Sequence, residues 1–252
     1  MDAPDHGQSS LNPHPRRGPP PPAAARPPSR TRRLLGPRLR SWAAALCALA
    51  AAWVTVWGLA ARRSRRPLLV DRWVDGPLLR LGPDWQRLAT GALRWEEPVV
   101  LAVLAALAAF TLALRRPAWT ATVLAGVTAE LSSVQLLIKP VVDRHELAPG
   151  ASFPSSYVGA ASVVATLTVI VVGAGMPRGR ANVVAVALTA LVALAAVSAV
   201  AVATMATAGH RFSDVITAVP WGAAMGLGAC SLSDTLSATR ASKAASRDVG
   251  PG

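Results

Sequence analysis

Three short segments in the second half of this 252-residue chain carry residue types suited to handling a phosphate group. The first is Lys139-Pro140-Val141-Val142-Asp143-Arg144-His145, and Lys139 is one of only two lysines in a chain that otherwise relies on arginine. Its ammonium group and the Arg144 guanidinium offer charge and donors to phosphate oxygens. The second is Ser152-Phe153-Pro154-Ser155-Ser156-Tyr157. It reads as a helix start, where unpaired backbone N–H groups and the helix dipole attract an anion, with Ser155 and Ser156 adding hydroxyls. The third is Gly209-His210-Arg211-Phe212-Ser213-Asp214. His210 and Asp214 are four residues apart, so a helix would set them on one face. A carboxylate there holds the imidazole in one tautomer and stabilises its cation, leaving the other nitrogen to attack phosphorus.

A His-x3-Asp pair alone is usually structural; the order and loop placement of all three segments give it meaning. His145 reads as a loop residue, and His6 and His14 carry no signal. Glu130 sits inside an apolar run, where a charge is costly. It reads either as functional or as a buried acid bonded to a neighbouring Ser or Arg.

The elements that must hold these segments are membrane helices. The chain is 52% hydrophobic and only 15% charged, with a mean hydropathy of +0.38, whereas soluble domains carry roughly 25% charge. Apolar runs at Ser41–Ala61, Pro98–Leu114, Ala118–Ile138, 156–175, 182–204 and Val215–Leu232, uncharged except for Glu130 in the third, are each near the length that crosses a bilayer. The expected fold is all-α, a polytopic membrane bundle of about six helices rich in small, closely packing residues. The mixed stretch from Arg62 to Glu97 predicts short amphipathic helices at the membrane surface. Residues 1–40, rich in Pro and Arg, predict a disordered cytoplasmic tail, and 235–252 a basic C-terminal tail.

The net charge of +13 does not argue for nucleic acid, because the basic residues cluster in the tails and beside apolar runs, next to anionic headgroups. Cys47 and Cys230 fall inside apolar runs and read as small buried side chains. Setting both termini and the turns at 115–117 and 177–180 in the cytoplasm satisfies the positive-inside rule, with Arg62–Arg66 as the exception. The loops at 139–156 and 205–213 then lie on the outer face. A transporter is disfavoured, since no repeated half or broken-helix pair is evident.

Together the three segments resemble the motifs of the type 2 phosphatidic acid phosphatase superfamily, which also contains the vanadium haloperoxidases. Its pattern runs K-x6-R-P, then P-S-G-H, then S-R-x5-H-x3-D. Lys139 matches the first lysine, Pro154 and Ser155 open the second motif, and His210 and Asp214 close the third. The chain departs at Glu146 and Leu147, at Ser156 and Tyr157, and at Ala203 and Thr204. Tyr157 thus stands where the family has its general acid, and Arg144 lies where members often carry an extra arginine.

The resemblance, over about residues 95–232, implies a six-helix bundle with its site at the outer face of the plasma membrane. It also implies metal-free, cofactor-free hydrolysis of a lipid phosphate or isoprenoid pyrophosphate through a phosphohistidine at His210. Asp214 would orient His210, Tyr157 would donate a proton, and Lys139, Arg144, Ser155 and Ser156 would cradle the phosphate. The altered positions support an alternative: a member that has lost catalysis and keeps a lipid-phosphate-binding or structural role.

Overall fold

In the computed structural model, residues 33–62, 66–144, 153–207 and 209–248 are described. The tail expected over 1–40 lies mostly outside them, as do His145 and Glu146. The elements are α1 (Pro37–Ala61), α2 (Leu69–Leu79), α3 (Pro83–Ala113), α4 (Pro117–Ser132), a π-helical turn (Ser133–Ile138), α5 (Lys139–Val142), α6 (Ser156–Gly175), α7 (Arg180–Ala206) and α8 (Phe212–Asp248). No strand occurs among the described residues. Six helices are long and apolar enough to cross a membrane, with α4, the π turn and α5 forming one span. The all-α, six-span architecture is therefore as the sequence predicts, that of a multi-pass membrane protein.

Several boundaries differ from expectation. α1 starts at Pro37, inside the stretch expected to be a disordered tail, and α8 runs on to Asp248, through most of the expected C-terminal tail. α3 starts at Pro83, so Pro98 lies inside a helix rather than opening one. Gly82-Pro83 supplies the start, because Pro at the first helical position lacks only an N–H that would go unpaired anyway. α2 is short, but its acids point inward: Asp71 is fully buried and Asp75 nearly so, while Trp73 is exposed. It packs on α7 and α8 rather than lying free at a surface.

The bundle is organised around α6 and α8, which make the most extensive interhelical contact. Glycine permits it. A Cβ on Gly222 would lie 2.4 Å from the Gly159 carbonyl oxygen and 2.8 Å from Ser162 Cβ. Close approach through small residues is how helices associate where lipid removes the hydrophobic drive. Deeper in the bundle, Val123, Val163, Leu167 and Val171 pack with Leu107 and Trp119. Leu191, Val192 and Leu194 of α7 and Leu49, Val56 and Leu59 of α1 point outward, as lipid-facing side chains do.

Candidate phosphate site

The end of α4–α5 and the starts of α6 and α8 converge at one end of the bundle, and local sequence explains each. Pro140 offers no N–H to the carbonyl of Leu136, and its ring crowds that oxygen. The ladder rewinds through the π turn just before it, at Ser133–Ile138. α5 then stops at Asp143, whose left-handed φ of 49° is one that Asp tolerates. The reversal delivers Arg144 to the interior. Phe153, fully buried against Val54, Ala61 and Val142, anchors the approach to α6. Ser155 caps α6, its hydroxyl accepting the Val158 N–H at 3.4 Å, and its own N–H donates to the Asp214 carbonyl at 3.3 Å.

Of the expected residues, the structure brings Lys139 to Ser156, with Nζ 3.5 Å from Oγ. Tyr157 stands edge-on to His210, ring centroids 6.1 Å apart. His210 Nδ1 lies 3.9 Å from Asp214 Oδ2, with the His210 side chain 9% exposed. That is an approach rather than a hydrogen bond. The pair meets without sharing a helix, since His210 precedes α8 and Asp214 is in its first turn. The His210 N–H donates to the Thr204 carbonyl at 3.3 Å, which fixes the loop against the end of α7.

Arg144 is placed otherwise than a phosphate ligand would be. It is wholly buried, with Nη2 2.8 Å from Asp71 Oδ2 and Nη1 2.7 Å from Asp214 Oδ1. Nη1 also donates to the Ser213 hydroxyl at 2.7 Å. The guanidinium bridges two helices and spends its terminal nitrogens on the protein's own carboxylates.

Asp71 and Asp75 are the residues that motif reasoning did not find. Asp71 accepts the Ser213 N–H at 2.8 Å and the Leu68 N–H at 2.9 Å; Asp75 accepts the Phe212 N–H at 3.1 Å. Asp214 itself accepts the Arg211 N–H at 3.0 Å. The opening N–H groups of α8, an anion site in principle, are thus filled by three of the protein's own acids. A signal existed: Asp71 and Asp75 share a face at i,i+4 on a short helix beside hydrophobic residues. Burial would raise the Asp71 carboxyl, but the backbone and side chain of Ser213, then Arg144 and the Leu68 N–H, together hold it below the usual range. For Asp75, burial and then the charge of Asp71 win over the Phe212 N–H and push it up to about 6.

Glu130 is also fully buried, and neither carboxyl oxygen has a hydrogen-bond partner among the described residues. It faces Gly159, where an added Cβ would collide with Oε1, and among the described residues neither a Ser nor an Arg bonds its side chain. The site as a whole can offer a phosphate the Lys139 ammonium, the Ser156 hydroxyl, the half-exposed Tyr157 and the His210 ring. Among the described residues, no group of His, Cys, Asp and Glu is arranged to hold a metal ion. Compared with known proteins, the chain matches no family model, no curated protein and no solved structure.

Proposed function

We propose that this chain is a membrane protein of the type 2 phosphatidic acid phosphatase kind that binds a phosphorylated lipid headgroup at its outer face, with hydrolysis largely lost. The observation that carries the reading is Arg144: its two terminal nitrogens are committed to Asp71, Asp214 and Ser213 inside the protein. Phosphoryl transfer needs several cations aimed at the oxygens that gain charge, and each missing donor costs about 10²–10³ in rate. Here Glu146 and Thr204 stand where the resembling family has arginines, and Arg144 does not replace them. A tyrosine phenol in place of a positioned histidine acid adds a further loss of about 10²–10⁴. Lys139 with Ser156 still suffices to hold an anionic headgroup beside apolar helices.

The test uses detergent-purified protein with phosphatidic acid or an isoprenoid pyrophosphate, phosphatidylcholine being the control. Native mass spectrometry should detect retained phosphatidic acid in preference to phosphatidylcholine, and Lys139→Ala should lose that preference. Equal retention of both lipids by the unaltered protein contradicts the reading.

One observation favours the second reading, hydrolysis. His210 approaches Asp214 through Nδ1 at 3.9 Å, which leaves Nε2 as the attacking atom. It would form an N–P bond as the lipid–oxygen bond to phosphorus breaks. Tyr157 would give its proton to the departing lipid oxygen, and water would then release phosphate from the imidazole. Phosphate release that disappears in His210→Ala decides for this reading.

A further inference from the structure

Glu96, on the inward face of α3, is 8% exposed, and no described residue donates a hydrogen bond to it. It lines a cavity of about 560 Å³ between α3, α6 and α7, within the roughly 300–1,000 Å³ range of small-molecule sites. The walls are almost wholly apolar, built from small residues such as Ala165, Ala193 and Ala196, and the Trp95 indole also lines them. Two further polar side chains border the cavity, Thr168 and Thr189, and both hydroxyls are spent on carbonyls of their own helices. Among the described residues, no Lys, Arg or His lines the cavity.

Each class of occupant meets this cavity differently. A plain acyl chain would fill the apolar volume but leave the carboxyl without a partner, which is costly in low dielectric. An anion would be repelled. A lipophilic organic cation satisfies all the features together: its charge pairs with Glu96, its apolar body lies against the alanines, and an aromatic face is available at Trp95. Intramembrane acids commonly mark such ligand positions.

We propose that this cavity binds a lipophilic organic cation, with Glu96 as its counter-ion. The inference is independent of the phosphate site, which uses none of these residues. It is tested by equilibrium dialysis of tetraphenylphosphonium against the full-length protein in detergent. Saturable binding is expected, weakened about tenfold or more by Glu96→Gln, which keeps the side chain's shape but removes its charge. Ala196→Leu, which fills the cavity and leaves the carboxyl in place, should weaken it as well. Glu96→Gln should still retain phosphatidic acid, so failure of the two proposals can be told apart. Absence of saturable binding by the unaltered protein, or unchanged binding in either variant, overturns the inference.

Discussion

At the scale of single residues, Arg144 connects the stability of the site to its chemistry. Between Asp71 and Asp214 it forms a buried ionic triad with no exposed side chain. Removing one partner of such a cluster leaves an uncompensated charge and costs about 3–5 kcal/mol. Asp71→Asn should therefore lower the thermal midpoint in detergent markedly, and a change within experimental error would contradict the triad's role. The Nε atom of Arg144, buried without a hydrogen-bond partner among the described residues, shows that even this cluster is not fully satisfied.

Asp75 gives a pH prediction. Its carboxyl is raised from an ordinary 3.8 to about 6, so the folded protein holds that proton more tightly than the unfolded chain. Its contribution to stability is complete below about pH 4 and is lost as pH rises through about 6. Asp75→Asn removes the titration and keeps an acceptor for the Phe212 N–H. The variant should exceed the unaltered protein in thermal midpoint at pH 7–8, and the difference should vanish near pH 4. A constant difference across that range would show that Asp75 does not titrate this way. Asp71 opposes it only in more acidic solution, because its carboxyl is lowered.

The sequence made the candidate residues legible but not their partners. Lys139, His210 and Asp214 could be read from type and spacing because each belongs to a short local pattern, whereas Tyr157 stood out only through the family resemblance. The fate of Arg144 could not, since Asp71 lies 73 residues away, and no local pattern shows that a carboxylate from α2 will meet it. Glu130 was legible as an anomaly, whereas the bare contact with Gly159 depends on the packing of α4 against α6.

Among the elements, α6 and α8 matter most because they carry Tyr157 and Asp214, with Ser155 capping α6. Their spacing rests on Gly222, where a Cβ would meet the Gly159 backbone at 2.4 Å. Backbone cannot rotate aside as a side chain can, so Gly222→Val should push the helices apart. Overpacking of this kind typically costs about 1–3 kcal/mol, and the retention of phosphatidic acid should fall with it. Gly76→Ala is the control, since nothing lies within 4 Å of its added Cβ. Equal thermal midpoints for the two variants would contradict the close crossing. The helices themselves were legible because apolar runs of spanning length have few alternatives in a membrane. The boundaries at 62–97 were harder, since Pro98 suggests a start, yet Gly82-Pro83 opens the helix earlier and it runs on through Pro98.

In the whole molecule, a lipid-facing bundle carries a polar cluster at one end. The distribution of arginine predicts that both termini are cytoplasmic, which would put that cluster on the outer side. A green fluorescent protein fused after Gly252 should fluoresce, and alkaline phosphatase at the same place should be inactive; the reverse pattern would invert the orientation. Composition indicated membrane insertion at once, but it could not distinguish a site open to phosphate from one occupied by its own carboxylates. That distinction decides between binding and hydrolysis. The most direct measurement incubates the purified protein and His210→Ala with phosphatidic acid and counts bound intact lipid and released phosphate in the same sample. Under the binding reading, the unaltered protein retains intact lipid, with phosphate no higher than in His210→Ala. Phosphate released in turnover by the unaltered protein and absent from His210→Ala would contradict it.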